Sequence, residues 1–242
     1  MHDLTQRQIE ILKTLIEEYI ETAEPVGSET LEKKHSLSAS PATIRNEMVK
    51  LTELGYLKKT HVSSGRVPTP QAMRFYVNQL MKEKEPSVAE EVALKEKVWD
   101  LRDREQQFLR EMTRSLAQKS HALAISLTDE GDFFFSGYAN ILDMPEFYDI
   151  DLTKNLLEAI DKCEMFSAFL NDAGEDADIR VLIGEDLAPS LLGPYSFVFR
   201  KFRTPRHIGE IGVLGPARMN YNYVVPTVRY FGDLIQEIAR NW

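Results

Sequence analysis

Apolar positions in this chain follow two rhythms, and the change between them divides it. Up to about residue 81 the spacing is helical. Ile9, Leu12, Ile16, Tyr19 and Ile20 share one helix face, opened by Thr5 and Gln8 as a Thr-x-x-Gln capping box. Glu24-Pro25-Val26-Gly27 breaks that helix, and Ser28 caps a short second one to about His35 with Leu31 turned inward. Ile44, Met48 and Leu51 recur at i, i+4, i+7 in a third helix, with Ser40 as N-cap and Pro41 at the first helical position. Gly55 suits the left-handed residue that ends it. Strand character from Leu57 to Val62, a turn at Ser64-Gly65 and a return strand from Val67 predict a hairpin. Thr69-Pro70 then starts a fourth helix carrying Phe75, Tyr76, Leu80 and Met81. Together these elements read as a winged helix-turn-helix.

The second half mixes strands and helices. Residues 82–120 read as a linker and a bridging helix, with a charged hinge around Pro86. Leu94, Val98, Leu101, Phe108 and Met112 fit a seven-residue repeat interrupted at Glu105. Such a helix either bridges the domains and contributes to a dimer or packs on its own sheet. Strands are expected at Ala122–Leu127, Phe133–Tyr138, Ile179–Ile183, Tyr195–Phe202 and Ile208–Leu214, with helices at Pro145–Cys163 and Asn222–Arg240. The fold class is therefore α+β, with domains at 1–81 and 121–242 and a mainly antiparallel sheet in the second.

Charge sharpens the first half. The whole chain is acidic, at −9. Residues 1–32 carry Arg7 and Lys13 against eight acids, a balance of −6. Residues 33–74 carry eight Lys and Arg against Glu47 and Glu53, a balance of +6. That basic half contains the third helix and the hairpin, and local charge governs contact with a polyanion. Counting about 100° per residue from the Ile44/Met48/Leu51 stripe, Ala42, Asn46, Val49 and Lys50 point outward, with Thr43 and Arg45 on the flanks. Asn and Arg read base edges, Lys meets phosphate, and Ala touches a thymine methyl. The expected DNA-contact set is Ser38, Ser40, Ala42, Thr43, Arg45, Asn46, Lys50, Lys58, Lys59, His61, Ser64, Gly65 and Arg66. Arg66, beside the glycine at the wing tip, suits the minor groove. Against this stand plainer roles: Asn46 as an ordinary exposed helix residue, Arg45 paired with a nearby Glu or set on phosphate, His61 as hairpin support, and Gly65 as a turn requirement.

At these residues the chain resembles the HrcA family of bacterial heat-inducible transcription repressors. The matching segments are Glu24-Pro-Val-Gly-Ser28, Ser40-Pro-Ala-Thr-Ile-Arg-Asn-Glu47, Leu54-Gly-Tyr-Leu57, His61-Val-Ser-Ser-Gly-Arg-Val-Pro-Thr69 and Arg74-Phe-Tyr-Val77. Gly137–Phe147 and Gly212–Tyr221 resemble the family's second domain. The resemblance implies a homodimeric repressor on an inverted-repeat operator upstream of chaperone genes, and a GAF-like second domain. It also implies dependence on the GroE chaperonin, for which unfolded proteins compete during heat stress. Family members usually carry an inserted domain where this chain has only Thr128-Asp-Glu-Gly-Asp132 before Phe133. Smaller departures lie at Gln71-Ala-Met73, Ala217 and Asn220.

Two other readings remain. In one, the sheet domain senses a small molecule and adjusts DNA affinity. In the other, the sheet domain is an enzyme using Glu185-Asp186 or Asp176 and Asp178, although no nucleophile–base pair accompanies them. Arg218 serves either as an anion site or as a structural partner of an acid. Cys163 is alone, no His-x-x-x-His pair or phosphate loop occurs, and no cofactor or metal is expected. No apolar run approaches a membrane span and no signal peptide opens the chain, so a cytoplasmic location is expected.

Overall fold

The computed structural model describes residues 4–35, 37, 39–60, 65–162, 179–187 and 194–241. The chain forms two compact units, Met1–Lys82 and Glu83–Trp242.

In the first unit, α1 (Gln6–Thr22) begins with the expected box: the Thr5 hydroxyl accepts from the Gln8 amide and the Gln8 side chain accepts from the Thr5 amide. Its buried stripe is Ile11, Leu12, Leu15 and Ile16, whereas Ile9, Tyr19 and Ile20 are only half-buried. The expected stripe is thus rotated, because α1 is packed against several neighbours rather than one face. Those neighbours are α2 (Ser28–His35), α3 (Pro41–Glu53), β2 (Val67–Pro68) and α4 (Pro70–Phe75). The α3 helix buries Ile44, Met48 and Leu51 and ends in a Schellman arrangement. Gly55 stands at φ 82°, its amide donates to Thr52 O at 3.1 Å, and the Tyr56 amide donates to Leu51 O at 2.9 Å. β1 (Leu57–Lys58) pairs antiparallel with β2, Leu57 opposite Pro68 and Lys58 opposite Val67. Thr69 ties the foot of this hairpin to the α3 turn: its hydroxyl donates to Gly55 O at 2.7 Å and caps α4 through the Ala72 amide. The chain then widens into a π-type turn, closed by the Met81 amide on Tyr76 O.

The second unit contains, among the described residues, one five-stranded antiparallel sheet of order β4-β3-β7-β6-β5. Its strands are β3 (Leu123–Thr128), β4 (Phe133–Ser136), β5 (Arg180–Ile183), β6 (Tyr195–Arg203) and β7 (Ile208–Pro216). Alternation along β3 and β6 divides the faces. Leu123, Ile125, Leu127, Tyr195, Phe197 and Phe199 join Phe147, Leu156 and Ile160 in one core, with α7 (Tyr138–Leu142) and α8 (Ile150–Lys162) on that side. The opposite face packs on α6 (Glu105–Ser120) and α9 (Tyr221–Ile238). There the buried Thr113 and Ser126 hydroxyls pair at 2.6 Å. The fold is the expected α+β class with a GAF-like antiparallel sheet domain.

Three details differ from the sequence pattern. Pro145–Phe147 is a separate 3₁₀ turn before α8, and Cys163 lies outside the described residues. The helix expected across residues 94–112 is two helices, α5 (Val88–Trp99) and α6, because the chain turns at 100–104. Leu94, Val98, Phe108 and Met112 are buried within the second unit, and Leu101 is half-buried in the connection. The expected linker is also anchored. Pro226 lies inside α9 and has no N–H for the Asn222 carbonyl, so the Lys84 amide takes that carbonyl at 2.8 Å.

The β3–β4 connection is short. The Thr128 amide donates to Asp132 O at 3.0 Å, and Gly131 supplies the left-handed residue at φ 91°. This turn stands where the family resemblance leads one to expect an inserted domain. The two distant segments of that resemblance meet instead: Arg218 grips Glu146 through Nε at 2.5 Å and a second guanidinium nitrogen at 3.2 Å. Arg218 is therefore the structural partner of an acid.

Candidate nucleic-acid interface

The exposed face of α3 is the one its sequence predicts. Ala42, Arg45, Asn46, Val49 and Lys50 are exposed, and Thr43 is half-buried. Ser40 caps the helix, accepting from the Thr43 amide at 3.2 Å, and its hydroxyl also meets the Thr43 hydroxyl at 3.0 Å. These two hydroxyls are used locally at the helix entrance. The Arg45 guanidinium makes no ion pair with a described residue, so pairing with a neighbouring Glu does not occupy it. Lys58 and Lys59 are exposed on the wing. Ser38, His61 and Ser64 lie outside the described residues.

Two wing residues have roles the sequence did not reveal. Arg66 was expected at the wing tip. It lies just on the loop side of the two-residue ladder, in a bridge with Val26: each amide donates to the other's carbonyl at 2.9 Å. Its Nε reaches the Thr52 hydroxyl on α3 at 3.2 Å. Gly65 is needed for proximity rather than for a positive φ, since a Cβ there would lie 2.3 Å from the Val26 carbonyl oxygen. The Glu24-Pro-Val-Gly break thus provides the edge on which the wing returns.

A hydrogen-bonded relay holds α3 against α1. Gln8 uses Oε1 to close the capping box and still has an amide NH₂ to donate. That group donates to Glu47 Oε2 at 3.0 Å, while Lys50 Nζ donates to Glu47 Oε1 at 2.8 Å. The Lys50 contact, and then Gln8, hold the Glu47 carboxyl below its ordinary range. Lys50, an expected phosphate contact, therefore rests on Glu47 in the unbound chain. An exposed pair of this kind is worth about 0–1 kcal/mol, so Lys50 is available to a stronger anion. Capping arithmetic on Gln8 alone signals its spare donors; nothing in the spacing signals their target on α3.

A second tether fixes α2. Glu18 on α1 has a buried side chain, accepting from Lys34 Nζ at 2.7 Å and meeting His35 Nε2 at 3.0 Å. The Lys34 hydrogen bond holds the Glu18 carboxyl below its usual range. Glu18 and Glu47 are thus each paired with bases of the helix-turn-helix.

The sequence profile described as HrcA protein C terminal domain matches residues 40–225, which takes in α3, the wing and most of the second unit. The chain belongs to the HrcA family. A relative from Desulforudis audaxviator, a heat-inducible transcription repressor HrcA, is 26% identical over 328 residues, covering 94% of this chain and 95% of its own length. That alignment is far longer than the 242-residue chain, so the relative carries a block this chain lacks. The present chain is a shortened HrcA-family form, in keeping with the tight β3–β4 turn. Another heat-inducible transcription repressor HrcA, from Acetivibrio thermocellus, is 30% identical and covers 98% of this chain and 65% of its own. The crystal structure of a hypothetical protein at 2.2 Å resolution shares the fold, with a TM-score of 0.77 at 17% identity, over 98% of this chain and 99% of that one.

No group of three or more His, Cys, Asp or Glu is placed to hold a metal ion, and no helix is long and apolar enough to cross a membrane, both among the described residues.

Proposed function

We propose that this chain is a cytoplasmic, sequence-specific repressor of heat-shock genes that binds an inverted-repeat operator as a homodimer and acts by occluding a promoter. The observation that carries this reading is the outward face of α3. It is capped, pinned to α1 through Glu47, and presents Arg45 and Asn46 with no acid paired to their side chains among the described residues. In this reading α3 enters the major groove, Asn46 and Arg45 meet base edges, and Lys50, Lys58 and Lys59 meet phosphate. Ala42 and Thr43 flank the base contacts, and Ser38, Ser40, His61 and Ser64 complete the surface. Gly65 and Arg66 act by setting the angle of the wing.

A single winged module makes few contacts, so operator preference needs two of them on one duplex. GroE dependence belongs to the same proposal, on the strength of the family resemblance. Enrichment of one palindromic sequence from random duplexes supports the reading; recovery of unrelated sequences at equal affinity contradicts it. Adding chaperonin to freshly refolded protein should raise the fraction able to bind operator, and an unchanged fraction removes the chaperonin from the account.

For the rival in which the sheet domain senses a metabolite, the described residues offer an open cleft of about 410 Å³, lined by Phe135, Tyr138, Ile141, Leu142, Leu157 and Asp161. Asp161 is its single charged group, so it lacks the convergent polar set that selects a small ligand.

A further inference from the structure

Around α3, Thr52 and Glu47 stand about 140° apart, and Asn46 lies in the wider arc between them, about 120° from the first and about 100° from the second. A different neighbour holds each. The Thr52 hydroxyl accepts from Arg66 of the wing at 3.2 Å, and the Glu47 carboxylate accepts from Gln8 of α1 at 3.0 Å. The outward face of α3 is thus flanked by the wing on one side and by the first turn of α1 on the other. Arg7 belongs to that first turn, is exposed, and makes no ion pair with a described residue. Glu10, one turn further on, is exposed and makes none either. The Glu47 carboxyl is held below its ordinary range by Lys50 foremost, then by Gln8, and Arg7 adds to them through space. On this flank two cations, Arg7 and Lys50, stand against one carboxylate.

We infer that Arg7 is a phosphate contact on the flank of α3 away from the wing, so that the DNA-binding surface runs from the wing across α3 to the first turn of α1. The inference rests on the DNA-binding reading above and adds to it a residue outside α3 and the wing. The major groove is about 12 Å wide and a helix with its side chains about 10–12 Å across, so a helix seated there has a phosphate strand along each side. In that reading Lys58 and Lys59 serve the strand on the wing side. The other strand meets the α1 flank. Lys50 is shared with Glu47 there, whereas no described acid pairs with Arg7. A guanidinium also presents its N–H groups side by side, which suits a phosphate better than the point charge of a lysine. Phosphate contacts position a protein without reading sequence. Arg7 therefore adds affinity on every duplex and, with the wing, sets how α3 lies in the groove.

The test is the salt dependence of binding to an unrelated duplex and to the selected operator, for the full chain and three variants. Arg7→Gln leaves the Thr5–Gln8 box and the Gln8–Glu47 bond intact, so the fold is kept. It should flatten the slope of log affinity against log salt by about one unit on both duplexes. Arg7→Lys keeps the charge and should keep the slope. Lys13→Gln removes a cation from another side of α1, where it lies 3.9 Å from Glu17, and should leave the slope unchanged. A single uncharged methylphosphonate, moved along the operator strand on the α1 side, should weaken the parent most at one position, and Arg7→Gln should be insensitive at that position. A slope in Arg7→Gln equal to the parent's, or one that Lys13→Gln flattens equally, overturns the contact while leaving DNA binding by α3 and the wing in place. A parent chain that binds no duplex overturns the reading on which the contact rests.

Discussion

At the scale of single residues, α3 divides its labour. Asn46 is exposed and sits on the face opposite the buried Ile44/Met48/Leu51 stripe, so Asn46→Ala should keep the fold and lose about 1–3 kcal/mol of operator binding. Circular dichroism together with titration of operator against unrelated duplex checks this; equal loss on both DNAs would make Asn46 a backbone contact. Glu47 works the other way. Glu47→Gln keeps a partner for Gln8 but releases Lys50, so binding to any duplex should tighten by up to about 1 kcal/mol, and weaker binding would show that the carboxylate is needed to hold α3. Glu18 sets a pH dependence. Its folded carboxyl is held below the ordinary value by the Lys34 hydrogen bond, so the stability it contributes is present above that ordinary value and lost as pH falls through the folded one. Glu18→Gln should melt below the parent near neutral pH, and the gap should close in acid. A gap that persists at about pH 2 would mean that packing, not charge, is responsible. The outward positions of α3 were legible in the sequence because an i, i+4, i+7 stripe defines its opposite face. The partners of Gln8 and Glu18 were not, since a long polar side chain reaches a neighbour that only tertiary packing selects.

At the scale of elements, caps and breakers located the helices of the first unit well. Thr5, Ser40 and Thr69 all accept the amides expected of them, and Gly55 takes its left-handed turn. The wing was harder to read. Its ladder is two residues per strand, too short for alternation to mark its limits, and its third contact comes from Val26, far off in sequence. Gly65 is the sensitive point. Gly65→Ala places a methyl against the Val26 carbonyl, so the bridge should open, with a lower melting temperature and a wing held at the wrong angle. Unchanged thermal stability and operator affinity would show that the contact between the wing and Val26 tolerates displacement. Lys59→Ala should instead spare stability and flatten the salt dependence by about one unit of slope, if one phosphate contact is lost. The break between α5 and α6 escaped the sequence because apolar spacing continues across it. Both helices bury residues in the same unit, so the heptad-like count survived a turn in the chain.

At the scale of the whole molecule, the chain combines a winged helix-turn-helix unit with a sheet unit in a shortened HrcA-family form. Local charge pointed to the first unit where the overall −9 did not, because a contact face is felt at close range and the remainder is screened. The sheet was legible from its strands, and its order was not, since pairing β3 with β7 across more than eighty residues leaves no local trace. Whether two α3 helices read one operator together is decided by selecting bound duplexes from a random pool and counting the chains on each selected site. The expected result is an inverted repeat whose half-sites lie near whole helical turns apart, about 10 base pairs or a multiple of it, occupied by two chains. A single unrepeated site held by one chain, or no enriched sequence at all, would contradict it.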